Sequence, residues 1–155
     1  MIILALDMAS KTGWAIADSA GGGRIIESGV QDFTKKRGES NGLLFMRFRT
    51  WLKTMTGFMP PIQLIAYEQA HYRGGDATEI CVGLQTRAQE IAAEMGIESA
   101  PVKTNTLKKF ASGTGSAGKD IMKAAAHLIL GRPPIDDNEA DAVHVAMWAA
   151  REYGG

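Results

Sequence analysis

Short apolar runs alternate along the chain with longer segments of helical spacing, and their order predicts a mixed α/β fold. Apolar or alternating runs too short for helices predict strands at residues 2–7, 11–17, 24–33, 62–68 and 97–102. Apolar positions three to four residues apart predict helices at 41–56, 76–95, 104–111, 119–130 and 138–153, the first with Asn41 as its N-cap. We expect a mixed five-stranded sheet, three antiparallel strands followed by parallel ones, with helices on both faces.

Composition narrows the class of protein. A length of 155 residues predicts that 1–155 form a single domain, and 45% hydrophobic with 22% charged residues excludes a disordered chain. The apolar runs are far shorter than the roughly 18 residues that a membrane span needs, so we expect no membrane contact. The single cysteine, Cys81, is expected to be a small buried residue and favours a reducing, cytoplasmic location.

Charge is distributed unevenly although the formal net charge is zero. Residues 35–53 hold six basic side chains and one acid, and residues 103–132 again hold six and one. The acids concentrate elsewhere, notably at 136–141. We therefore expect two basic surfaces and an acidic pit, a distribution that suits binding to nucleic acid.

Three acids occupy positions that need a partner. Asp7 and Glu68 each end an apolar strand, and Asp141 lies on the first turn of the predicted last helix. Burying a carboxylate is costly unless it is paired, and these strands carry no lysine or arginine at matching positions. A divalent cation such as Mg²⁺, which prefers oxygen ligands, is the natural partner.

The segments around these acids resemble the RuvC-type Holliday junction resolvases of the RNase H-like (retroviral integrase) superfamily. The resemblance runs from about residue 2 to residue 150. It includes the helix at 76–88 and the glycine loop at 115–119, and the chain's early end suggests a compact, phage-type member. The matching motifs are Ile-Ile-Leu-Ala-Leu before Asp7, Tyr67-Glu68-Gln69 and Ala140-Asp141-Ala142.

This resemblance implies a metal-dependent endodeoxyribonuclease that cuts four-way DNA junctions as a homodimer, without an organic cofactor. The resemblance and the mixed apolar surface of the helix at 76–95 predict that this helix joins the two copies, largely through Ile80, Val82, Leu84 and Ile91. It implies two Mg²⁺ ions per site, with Mn²⁺ as a substitute, and hydrolysis by water rather than by a protein nucleophile. Asp7 and Glu68 would bind one ion, and Asp7 with Asp141 or Asp137 the other. In a bacterial cell or a phage-infected host, the enzyme would act in the cytoplasm.

The sequence departs from the family at the fourth ligand. The family has an Asp or His three residues before the final Asp, where this chain has Asn138. Asp137 shares a helix face with Asp141, since the two are four residues apart. We predict Asp137 as the substitute, with Asn138 and Asp136 as alternatives.

Resemblance also implies DNA contacts. His71, Tyr72 and Arg73 follow Glu68, where the family places an aromatic residue that stacks on a base at the crossover. Lys108 and Lys119 match basic DNA contacts, and Lys109 is adjacent. His127 lies on an apolar helix face and is expected in the core, and His144 is expected to be partly buried and hydrogen-bonded. The tryptophans Trp14, Trp51 and Trp148 are expected in core or interface packing.

Three other functions stay open on sequence grounds. A RuvC-like nuclease could act on other branched DNA or on RNA. The segment from Asp7 to Gly13 also resembles the first phosphate loop of actin-like phosphotransferases, although the second loop of that class is missing. A non-catalytic nucleic-acid-binding module is the third alternative, which the retained acids disfavour.

Overall fold

The computed structural model describes residues 1–72 and 74–155. The strands are β1 (Ile2–Asp7), β2 (Lys11–Asp18), β3 (Arg24–Asp32), β4 (Leu64–Glu68) and β5 (Glu98–Val102). The helices are α1 (Asn41–Thr56), α2 (Gly75–Met95), α3 (Thr104–Ser112), α4 (Lys119–Leu130) and α5 (Asp137–Tyr153). Among the described residues, no helix has the length and apolar character needed to cross a membrane.

One mixed sheet forms the centre of the fold, with strand order β3-β2-β1-β4-β5. The first three strands pair antiparallel, whereas β4 pairs parallel with both β1 and β5, as predicted. In this register Leu6 lies opposite Tyr67, so the next residues, Asp7 and Glu68, leave neighbouring strands at the same edge. Parallel pairing thereby brings together two acids separated by sixty residues of sequence.

Both faces of β1 are buried, which explains its unbroken apolar sequence. Ile3 and Ala5 pack with small residues of β2, β4 and α5, while Leu4 and Leu6 pack with the larger side chains of α1 and α2. The alanines on the first face leave room for α5 to lie close against the sheet. This close approach holds the start of α5 near the carboxyl ends of β1 and β4.

Several element ends differ from the predicted ones. The N-cap of α1 is Ser40, whose hydroxyl accepts from Leu43 N at 3.3 Å. Asn41 is the first helical residue, and its amide donates to Asp76 instead. At the other end of the chain, α5 begins at Asp137 rather than 138. Strands β4 and β5 begin later than predicted because only residues from Leu64 and Glu98 pair with each other.

The burial of several side chains differs from the burial predicted from the sequence. His127 is exposed on α4 rather than in the core, and Cys81 is half-buried. His144 is hydrogen-bonded as predicted, with its Nε2 atom 2.8 Å from Met122 O, but it is fully rather than partly buried. Trp148 is buried, whereas Trp14 and Trp51 are half-buried against the core.

Apolar residues of α2 were expected to join two copies of the chain. Ile80, Leu84 and Ile91 instead pack inward against α1 and the sheet. That expectation is wrong for these side chains, because they are already used in the chain's own core.

Gly13 permits the closest contact between α5 and the sheet. A Cβ atom at this position would lie 1.9 Å from Asn138 O and 2.8 Å from Glu139 N. Both are backbone atoms at the start of α5, so a side chain here could be accommodated only by moving the helix. Because Gly13 pairs with Asp7 in the sheet, that movement would occur beside the clustered acids.

We expect Gly13→Ala to lower the free energy of unfolding by about 1–3 kcal/mol, because overpacking must displace backbone. Urea denaturation monitored by circular dichroism measures this change. Gly42→Ala is the matched control, since a Cβ there meets only Ser40 Oγ at 3.5 Å. The control should be neutral or stabilising by up to about 1 kcal/mol. Equal stability of Gly13→Ala and wild type would contradict the close contact.

Candidate functional site

Three carboxylates from three elements meet at the carboxyl edge of the sheet. Asp7 ends β1, Glu68 ends β4 and Asp141 lies on the second turn of α5. Each offers one oxygen atom, and these atoms lie within 4.8 Å of one another. All three residues are half-buried. The sequence identified these acids, and the structure brings them together.

Burial and mutual repulsion disfavour the charged forms of two of these acids. The pKa of Asp7 is raised well above its ordinary value by burial, and then by the charges of Asp141 and Glu68. Burial, followed by the charges of Glu68 and Asp137, raises the pKa of Asp141 to about 7. Lys108 and Lys119 oppose the shift at Asp141 only partly. Among the described residues, the lysines of the cleft therefore balance the charge of the cluster only in part.

A hard divalent cation fits this donor set. All three groups offer oxygen, and their separation allows a common ion to touch them. A bound cation would replace the protons that the raised pKa values retain, which is the usual linkage between metal binding and ionisation.

The residues considered for the fourth ligand have different surroundings. Asp136 is the N-cap of α5, and its Oδ1 accepts from Glu139 N at 2.9 Å. Asp137, the first helical residue, has its Oδ2 3.3 Å from Lys119 Nζ. Asp137 and Asn138 both line the cleft that contains the three clustered acids, so either remains a predicted ligand.

An ion pair between a buried carboxylate and an exposed arginine, which sequence reasoning missed, fixes the start of α5. Glu139 is fully buried, and Arg132 Nη2 lies 2.5 Å from its Oε1. The same carboxylate accepts from Ser28 Oγ at 2.7 Å and Ile135 N at 2.6 Å. Burial alone would raise the pKa of Glu139, but these hydrogen bonds hold it below its ordinary value. From the sequence Glu139 was only one acid of an acidic run, because its partner Ser28 lies 111 residues away.

Glu68 is held by a second hydrogen-bonded group. Thr104, the first residue of α3, donates its hydroxyl to Glu68 Oε1. The same hydroxyl is hydrogen-bonded to His71 Nε2, which lies 3.8 Å from Glu68 Oε1. Sequence reasoning did not single out Thr104. The parallel pairing of Glu68 with Val102 carries α3 to this position.

Three of the residues predicted to bind DNA line the cleft. His71, Lys108 and Lys119 line it, together with Thr104 and Cys81. Tyr72 is 87% exposed, and Lys109 is exposed on α3. Arg73 lies outside the described residues.

The two basic segments of the sequence differ in the structure. Much of the segment at 35–53 is neutralised, since Lys35 pairs with Asp76 and Arg47 with Glu39. Arg49 contacts both Glu90 and Glu94. The expectation of a free basic surface there is therefore wrong for these side chains. The segment at 103–132 supplies the lysines beside the acidic cleft.

We expect Asp141→Asn to stabilise the metal-free protein at pH 8. In wild type, the raised pKa means that the Asp141 contribution to stability is complete below about pH 4 and disappears as pH rises through about 7. The variant has no titrating group at this position, so it does not lose this contribution to the free energy of unfolding. For such a shift in pKa, the contribution is about 2–4 kcal/mol. Thermal melts in EDTA between pH 4 and 8 measure it.

Asp120→Asn, an exposed acid on the first turn of α4, is the control and should melt as wild type does. If wild type and Asp141→Asn became less stable in parallel from pH 5 to 8, Asp141 would not titrate in the way stated.

Comparison with known proteins identifies relatives along most of the chain. No protein-family model matches. The crossover junction endodeoxyribonuclease RuvC of Rickettsia prowazekii is 30% identical over 151 residues, covering 94% of both chains. The Rickettsia conorii protein of the same name is 28% identical with the same coverage.

Solved structures with a similar fold include RuvC proteins. Thermus thermophilus RuvC superimposes with a TM-score of 0.80 at 19% identity, covering 97% of this chain and 94% of that one. The same protein in complex with Holliday junction substrate gives 0.81 at 19% identity, covering 97% and 95%. The yeast mitochondrial Holliday junction resolvase Ydc2 gives 0.70 at 14% identity, covering 96% and 77%. These structures share the predicted fold. The Rickettsia prowazekii relative, at 30% identity over 94% of both chains, shows that the chain belongs to the RuvC family.

Proposed function

We propose that this protein is a structure-selective endonuclease that resolves four-way DNA junctions by metal-dependent hydrolysis of phosphodiester bonds. The observation that carries the proposal is the cluster of Asp7, Glu68 and Asp141 in a cleft of a RuvC-family fold. Relatives at 28–30% identity are named crossover junction endodeoxyribonucleases. A structural neighbour is described in complex with Holliday junction substrate, which favours a four-way junction over other branched DNA or RNA.

Asp7, Glu68 and Asp141 would bind two Mg²⁺ ions, or Mn²⁺ in their place, with Asp7 shared between them. When bound, the ions would supply water activation at neutral pH and positive charge for the leaving oxygen. Three carboxylates carry three negative charges, whereas two divalent ions carry four positive charges. Asp137 would bring the site close to balance by exchanging its contact with Lys119 for the metal.

The remaining cleft residues would bind and orient the DNA. Lys108 and Lys119 would contact phosphate, which draws the scissile bond towards the acids. His71 and Tyr72 would stack on an unpaired base at the crossover, an interaction worth roughly 1–3 kcal/mol per base. No side chain needs to act as a nucleophile, because water performs the attack.

A homodimer would allow symmetric incision of two strands. A four-way junction has two-fold symmetry, and a two-fold dimer would present two identical clefts to it. The buried residues of α2 leave this assembly without an assigned surface. A phosphotransferase or a non-catalytic module is disfavoured, since the relatives are named endonucleases and the three acids are present.

We expect Asp7→Asn, Glu68→Gln and Asp141→Asn each to abolish cleavage of a four-way junction while leaving junction binding intact. Asp137→Asn should be nearly as damaging, and Asn138→Ala much less so, because a neutral amide contributes little to charge balance. Cleavage of junction, flap and linear duplex DNA in Mg²⁺ or Mn²⁺ measures activity, and gel shift in Ca²⁺ measures binding.

Glu79→Gln, an exposed acid on α2, is the control and should cleave normally. Full activity of a variant would remove that residue from the ligand set. A silent Asp137→Asn with an inactive Asn138→Ala would make Asn138 the fourth ligand. Equal cleavage of flap and junction would support the broader branched-DNA function.

Substituting Lys108 or Lys119 with alanine should weaken junction binding and its salt dependence. Removing one lysine–phosphate interaction should reduce the slope of log affinity against log salt by about 0.9. Binding titrations from 50 to 200 mM salt, roughly the range over which such interactions dominate, measure the slope. Lys123→Ala, an exposed lysine on α4 outside the cleft lining, is the control. An unchanged slope in both test variants would make them ordinary surface lysines.

A further inference from the structure

Thr104 forms a hydrogen-bonded link between Glu68, one of the clustered acids, and His71, which lines the cleft. Its hydroxyl donates to Glu68 Oε1 and is also hydrogen-bonded to His71 Nε2. A hydroxyl has one hydrogen atom, so once that hydrogen is given to Glu68, the oxygen can only accept from His71. The chain of donors therefore runs from the imidazole N–H through Thr104 to Glu68.

Both of these hydrogen bonds join the Thr104 hydroxyl to side chains outside its own helix. It is the first residue of α3, and the preceding N-cap, Lys103, makes no side-chain capping bond. The Thr104 hydroxyl is directed to Glu68 rather than to the backbone of its own helix. Glu68 has a side chain only 14% exposed, so removal of this donor would leave a carboxylate oxygen with little access to water.

We propose that Thr104 is a positioning residue that orients Glu68 for metal binding and transmits contact with DNA at His71 to the metal site. This inference rests on the proposed function, because it assigns metal binding to Glu68 and base contact to His71. The hydroxyl holds Glu68 Oε1, and the carboxylate keeps further lone pairs with which it can bind a metal ion. A base stacked on His71 would hold the imidazole in place, and the imidazole in turn would hold the hydroxyl. Correctly bound DNA would thus favour the metal-binding orientation of Glu68.

Metal binding without DNA tests the positioning role. The Mn²⁺ concentration at the midpoint of the thermal shift should rise about ten- to a hundredfold in Thr104→Val, the usual effect of removing a hydrogen-bond donor behind a metal ligand. Thr104→Ser keeps the hydroxyl and should stay within about twofold of wild type. Thr106→Val, an exposed threonine on the same helix, is the matched control and should not move the midpoint.

Coupling to DNA is tested with His71→Phe, which keeps an aromatic ring but removes the N–H donor. At saturating junction DNA its cleavage rate should fall, while the affinity for DNA stays near that of wild type. In the Thr104→Val background the same substitution should have little further effect, because the hydrogen bond through which it acts is already absent.

Three results would overturn the proposal: an unchanged Mn²⁺ midpoint in Thr104→Val, equal defects in folded Thr104→Ser and Thr104→Val, or additive effects of His71→Phe and Thr104→Val on cleavage. If Thr104→Val does not fold, Thr104→Ala replaces it in every comparison with Thr104→Ser. Failure of wild type to cut any junction in Mg²⁺ or Mn²⁺ would count against the proposed function instead. The Mn²⁺ midpoints would still decide whether Thr104 positions Glu68.

Discussion

Repulsion among Asp7, Glu68 and Asp141 is the constraint on which the rest of the structure depends. Three half-buried acids with oxygen atoms within 4.8 Å of one another oppose folding unless they retain protons or share a cation. Burial, followed by the charges of Glu68 and Asp137, raises the pKa of Asp141 to about 7. The fold places these unfavourable charges together in one cleft. Because the cluster is unfavourable without a metal ion, it is suited to binding a metal ion.

Rigid elements around the cluster keep the acids from moving apart. Parallel pairing of β1 with β4 fixes Asp7 beside Glu68, and the alanine-rich face of the sheet admits α5. Gly13 allows the backbone of α5 to lie directly on β2. The contacts of the buried Glu139 with Arg132 and Ser28 then tie the start of that helix to β3. Each contact limits the relaxation by which repulsion could otherwise be relieved.

The same cleft combines acids with bases, which suits a polyanionic substrate. Lys108 and Lys119 lie beside the carboxylates and partly lower the pKa of Asp141, whereas Lys119 also contacts Asp137. In the proposed enzyme these lysines would contact DNA phosphate groups when metal ions are bound by the acids. The hydrogen bonds from His71 through Thr104 to Glu68 would link substrate contact to metal geometry. Recognition and chemistry would then depend on one set of side chains.

The sequence by itself determined the elements and the three central acids, because strand length, helical spacing and an acid ending an apolar run are local patterns. The RuvC resemblance, local in the same way, predicted the fold and the family. Only the tertiary structure decided which side chains act between elements. Ser28 and Glu139 meet across 111 residues, and Thr104 and Glu68 across 36. Tertiary contacts also paired Lys35 and Arg49 of the basic segment with acids of α2 and turned apolar residues of α2 inward. Residue type and spacing do not determine such partners, because strand register and helix packing bring distant positions together in space.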